Sequence, residues 1–363
     1  MAQKSKQWAA IIMMIALFAM IAFVTNLCSP MATIVKNQFG ASELAGQIGN
    51  YANFIAYLVM GIPSGMLIAK LGYKKTALLA LIVGIVGIVF EYLSGVVGSY
   101  VIYLVGAFIS GLCMCMLNTV VNPLLNVLGG GGKTGNQLIQ IGGAANSAAA
   151  VAVYILMGAL IGEVTKSTGI SDATPALIIA GVIFVIAFVI LLFTKIEEPE
   201  QAKVELSLIT GALKFRQLSL GALAIFLYMS VEVGTPTYMI SYLQTPEVGL
   251  SAGVAGLIAS VYWLMMFVGR SIGGSIGGKV SSRAMVSTVA TAAIALLLFG
   301  IFAPETMKVT VIGIDWGNLE VIYPQVPVCV LAFILVGLCT SVMWGGIFNM
   351  AVEGLGKYTA AAS

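Results

Sequence analysis

Residues 65–75 read GMLIAKLGYKK, and residues 274–283 read GSIGGKVSSR. Gly65, Leu67, Lys70 and Lys74 fall on Gly274, Ile276, Lys279 and Arg283 at a constant offset of 209. Each stretch is a short basic turn between long apolar runs, so a whole block of the chain is repeated. SGLCMCMLN at 110–118 resembles VGLCTSVMW at 336–344, and Pro30 aligns with Pro236 at an offset of 206, which sets Asn26 against Glu232. The repeat unit is about six apolar spans, and the two copies run parallel, an arrangement of secondary transporters whose substrate site lies near mid-membrane between the halves.

Composition agrees with that reading. Of 363 residues, 60% are hydrophobic and 9% charged, against about 25% charged in soluble domains. An all-α polytopic membrane protein follows, with ten spans: 8–28, 44–69, 76–97, 100–126, 138–162, 176–194, 217–242, 252–276, 284–303 and 326–350. The first run is too long for the apolar part of a signal peptide and reads as a spanning helix. With the N-terminus inside, Lys4, Lys6, Lys70, Lys74, Lys75, Lys133, Lys195, Lys203, Lys214, Arg216, Lys279, Arg283 and Lys357 are cytoplasmic, and only Lys36, Lys166 and Lys308 lie outside. This asymmetry fixes the expected orientation.

The expected organisation is an N-terminal six-helix half over 1–194, a cytoplasmic linker over 195–216 and a C-terminal half over 217–363. Counted against the repeat, the second half stops after its fourth helix. The β-branched stretch 304–325 is expected to form a hairpin outside. The chain has no histidine, and its five cysteines (Cys28, Cys113, Cys115, Cys329 and Cys339) sit within spans at no metal-ligand spacing. Catalytic residues, metal sites and disulfide frameworks are therefore not expected. LGGGGKTG at 128–135 lacks the first glycine of a phosphate-binding loop, since position 127 is Val127, and no strand precedes it. It reads as a helix connector, and ATP is not implied.

GMLIAKLGYKK resembles the signature between the second and third helices of the major facilitator superfamily, with Ala69 where an acidic residue is usual. NTVVNPLLNVLG (118–129), YMSVEVG (228–234), FVGRSIGG (267–274) and VEGLGKYT (352–359) resemble its fucose, galactose and glucose permease group. The resemblance implies twelve helices in two six-helix halves, of which ten spans are present here, and sugar uptake by symport with H⁺ or Na⁺. It also implies no cofactor and no nucleic-acid partner. The expected setting is a monomer in a bacterial inner membrane with its N-terminus in the cytoplasm. Acidic residues of the fucose permeases correspond to Ser29 and Asn118 here, so their way of coupling does not carry over residue by residue.

Glu232 sits halfway along span seven, where a carboxylate costs roughly 2.5 to 3.5 kcal/mol. Pro236 cannot donate to the carbonyl of Glu232, nor Pro30 to that of Asn26, so each half sets a polar side chain beside a freed carbonyl at a potential break. Glu232 is the expected coupling residue, taking up the proton or binding sugar hydroxyls. Asn50, Asn53 and Tyr57 share one face of span two, and Asn118 and Asn122 one face of span four. Amides donate and accept at once and so match vicinal hydroxyls. With Asn26, Gln140, Asn146 and Glu232, and with Tyr262 and Trp344 to cover an apolar sugar face, they form the expected substrate site. Gln140 and Asn146 cannot face one way, and the resemblance favours Asn146. Lys70, Lys74, Lys75, Arg270, Lys279, Arg283 and Glu353 are expected in a cytoplasmic gating network, with Arg270 snorkelling or salt-bridged there. Glu91 is expected to be a solvated helix end. An exporter of hydrophobic compounds or a sugar sensor that does not transport remains an alternative, and no enzymatic activity is expected.

Overall fold

The computed structural model describes residues 7–40, 42–130, 132–162, 164, 167–196, 198, 211–212, 214–276, 280–353 and 355. Ten of its helical segments are long and apolar enough to cross a membrane, in agreement with the sequence. The described residues separate into two compact units, one of residues 7–198 with Trp316–Asn318, the other of residues 211–315 with 319–355.

In the first unit α1 spans Trp8–Phe39 and closes on Gly40, whose φ of 59° lets its N–H reach the Lys36 carbonyl. Ser42 caps α2 (Glu43–Leu71) by accepting from the Ala45 N–H at 3.2 Å. Gly72 alone joins α2 to α3 (Tyr73–Val97). After α4 (Tyr100–Leu128) and α5 (Gly132–Ile161), a 3₁₀ turn at Ile170–Ala173 leads into α6 (Thr174–Phe193). Helix α1 is the most enclosed, packed against α5, α4 and α2.

The second unit has α7 (Arg216–Leu243), α8 (Ala252–Ile276) and α9 (Ser282–Phe302). Four short strands follow: β1 (Lys308–Thr310), β2 (Gly313–Asp315), β3 (Glu320–Ile322) and β4 (Gln325–Pro327). They form the expected hairpin in two antiparallel pairs, β1 with β4 (Val309 opposite Val326) and β2 with β3 (Ile314 opposite Val321). Helix α10 (Cys329–Thr340) packs against α8 and α9, and α11 (Met343–Val352) against α7 and α9.

Two expectations change. Neither proline breaks its helix: Pro30 lies inside α1 and Pro236 inside α7. Each removes one donor, and the helix continues past it in both directions. The tenth span instead divides at Ser341 and Val342. There the Ser341 hydroxyl donates to the Leu338 carbonyl at 2.6 Å, a local side-chain bond that competes with the helical ladder.

Small residues set the helix spacing. Gly84, Gly87, Glu91 and Ser94 line the buried face of α3, and a Cβ on Gly87 would stand 2.5 Å from the Ser110 hydroxyl of α4. A Cβ on Gly111 of α4 would collide with the Asn53 carbonyl of α2, whereas Gly61 of α2 has open space around it. Gly111→Ala is expected to destabilise the protein by about 1 to 3 kcal/mol through overpacking and to lower the melting temperature in detergent. Gly61→Ala should leave it unchanged.

Candidate functional site

In the first unit the polar residues of three helices meet. Asn50 and Asn53 are buried, with Tyr57 half-buried on the same face of α2. The Asn118 amide donates to the Tyr57 hydroxyl at 2.9 Å, and the Asn122 amide to the Asn118 carbonyl at 3.1 Å. Asn53 turns its amide nitrogen toward the Cys28 sulfur of α1 at 3.5 Å. The Asn146 amide of α5 donates to the Phe18 carbonyl at 2.9 Å, and that of Asn26 to the Ala22 carbonyl at 2.8 Å. Of these amides, Asn53 and Asn122 each keep an Oδ1 with no donor among the described residues, as does Gln47 of α2 with its Oε1. Gln140, half-buried on α5, joins none of these described bonds.

In the second unit Arg270 Nη2 of α8 lies 3.7 Å from Glu232 Oε1 of α7, with side chains only 13% and 10% exposed. Arg270 therefore does not snorkel or take part in a surface network, as its place near the end of its span suggests. Its guanidinium meets the one carboxylate of α7 instead. Beside them the Tyr262 and Thr340 hydroxyls share a hydrogen bond of 3.0 Å, linking α8 to α10. Tyr262 stands edge-on to Trp263 at 5.4 Å, and Trp344 stacks on Phe348 at the same centroid distance. The Tyr228 hydroxyl and the Trp263 indole N–H are buried with no partner among the described residues.

The other residues expected in the gating network are scattered. Lys70, Lys75 and Arg283 are exposed, and Lys279 lies outside the described residues. The Glu353 carbonyl accepts from the Gln217 side chain. Lys74 acts within the first unit: its ammonium donates to the Leu192 and Thr194 carbonyls at 2.9 and 2.8 Å, at the end of α6. In return Glu198 accepts from the backbone N–H groups of Tyr73 and Lys74 at 2.8 and 3.0 Å, capping α3. Each charge meets the helix end of opposite polarity.

Sequence reasoning misplaced a second residue besides Arg270. Glu91 is 5% exposed, not solvated, and accepts from the Ser110 hydroxyl at 2.9 Å. The spacing of Gly84, Gly87, Glu91 and Ser94 on one helix face is the sequence signal that marks it as packed.

A model of the Major Facilitator Superfamily matches residues 13–363. The glucose/galactose transporter of Brucella abortus biovar 1 (strain 9-941) is 24% identical over 354 residues, 96% of this chain and 81% of that protein. The L-fucose-proton symporter of Escherichia coli (strain K12) is 22% identical over 337 residues, 86% of this chain and 77% of that one. The crystal structure of the transporter FucP in the outward conformation superposes with a TM-score of 0.73 at 20% identity, covering 99% of this chain and 88% of that one.

Removing one member of a buried ion pair strands the other charge, at a cost of about 3 to 5 kcal/mol. Arg270→Gln is expected to show that loss in thermal unfolding. The double variant Glu232→Gln with Arg270→Gln should recover most of it.

Proposed function

Because the chain belongs to the major facilitator superfamily, we propose that it is a secondary transporter that imports a monosaccharide of the fucose, galactose or glucose type by cation-coupled symport with alternating access. The names of its relatives, glucose/galactose transporter and L-fucose-proton symporter, support the substrate class. The observation that carries the reading is the pair of polar faces on α2 and α4, tied by Tyr57 and Asn118, on which Asn53 and Asn122 each keep a buried carbonyl oxygen with no donor among the described residues. Sugar hydroxyls are donors that would complete them, and the same hydroxyls can accept from amide nitrogens. A transporter of purely apolar compounds would gain nothing from such oxygens, which are costly to bury unpaired.

Glu232 is the proposed coupling residue. Its partner Arg270 makes it a two-state element: as a carboxylate it is held by the guanidinium, and once protonated that attraction is gone. A proton arriving at Glu232 would thus release Arg270, and the released groups could rearrange around substrate. Orientation follows the distribution of lysine and arginine, with the N-terminus in the cytoplasm. The chain is proposed to work as a monomer, in the inner membrane of a bacterium and without a cofactor.

The test is uptake of labelled fucose, galactose, glucose and mannose into vesicles under imposed proton or sodium gradients, beside counterflow without a gradient. One sugar should accumulate, and Glu232→Gln should lose accumulation while still exchanging it. Full gradient-driven uptake by Glu232→Gln would overturn the coupling role. Absence of counterflow for all four sugars would overturn the substrate class, and binding without counterflow would make the protein a sensor.

A further inference from the structure

The first unit contains a buried carboxyl group that the proposed mechanism leaves idle. Glu91 stands on α3 in a close helix contact: a Cβ on Gly106 of α4 would lie 2.8 Å from its Cγ and from its backbone nitrogen. Its described hydrogen bond comes from the Ser110 hydroxyl, and the one salt bridge found among the described residues lies elsewhere, between Glu232 and Arg270.

Among the described residues the elements around it offer no compensating cation. Besides Ser110, the titratable groups that interact electrostatically with it are Tyr103 of α4 and Cys28 of α1; both are buried, and neither can carry a positive charge. Helix α6 has no ionisable side chain over Thr174–Phe193, and Asp172 of the 3₁₀ turn is exposed and accepts from the Gly169 N–H. Tyr100 of α4 donates to the Ala45 carbonyl instead. On α3 itself Tyr92 is exposed, and Lys74 and Lys75 lie at the far end of the helix.

A carboxylate with one hydroxyl donor and no cation is poorly solvated in such a place, whereas the neutral acid fits it. Becoming an anion there requires the α3–α4 contact to loosen and admit water or a counter-charge.

We infer that Glu91 is a second proton-binding site, separate from Glu232, whose proton is taken up and released as the α3–α4 contact tightens and loosens. The step is proton transfer alone: a proton from solvent adds to a carboxylate oxygen and leaves by the same kind of transfer. The inference deepens the symport reading and rests on it for its role in transport. The site itself can be tested without any sugar.

Infrared spectra of the purified full chain in lipid nanodiscs, recorded across a pH series in the Glu232→Gln background, should contain a protonated-carboxyl band that Glu91→Gln removes. The band should disappear at alkaline pH while the protein stays folded. Ser110→Ala keeps the carboxyl and should shift the band as its hydrogen bond is lost. A band that persists at every pH at which the chain is folded, or that Glu91→Gln leaves in place, would overturn the site.

In vesicles, with Glu232 intact, Glu91→Gln should keep labelled galactose counterflow within about twofold but lower pH-driven accumulation about tenfold, as expected when one of two coupled proton sites is lost. Unchanged accumulation would overturn the coupling role and leave a structural acid, because glutamine preserves the bond to Ser110. If the unaltered chain exchanges no sugar, the symport reading fails while the infrared arm still decides whether Glu91 binds a proton.

Discussion

In a membrane there is no water to complete an unfinished hydrogen bond, and that constraint organises this protein. Helices satisfy their own backbones, and most small polar side chains turn back onto a carbonyl one turn earlier. Thr119 bonds to Cys115, Asn122 to Asn118, Ser230 to Phe226 and Ser271 to Phe267 in this way. A bond that leaves its own helix is therefore informative. Those of Tyr57 with Asn118, Asn53 with Cys28, Ser110 with Glu91, Tyr262 with Thr340 and Glu232 with Arg270 identify where helices are tied and where chemistry gathers.

Such ties need close backbones, and bare glycine faces supply them. Gly87 and Gly106 bring Glu91 within reach of Ser110, and Gly337 sits where any Cβ would strike the backbone of Tyr262, next to the bond between Tyr262 and Thr340. Packing and polar pairing are thus one design, since apolar side chains gain little by leaving lipid for each other. The Trp316 indole, counted with the first unit, likewise fills the space above Gly158 of α5.

Charges obey the same economy at the helix ends. Where the superfamily signature usually has an acidic residue this chain has Ala69, and a carboxylate arrives from beyond α6 instead. Glu198 meets the positive end of α3, and Lys74 meets the negative end of α6. The pair of bonds holds two helices that are distant in sequence without placing a charge in the apolar core.

The sequence by itself determined the class, the ten spans, the hairpin and the repeat, because hydropathy over a span's length and a constant offset between segments are properties of the chain alone. It also marked Glu232 and the amide faces, since an ionisable group or an amide at that depth is costly wherever the helix goes. Tertiary structure alone decided the partners. Arg270 reads as a snorkelling cation until α7 stands beside α8, and Glu91 reads as a solvated end until α4 closes over it. A residue's depth along its own helix is written in its number; what faces it across the gap depends on helix rotation and contact, which no single segment encodes.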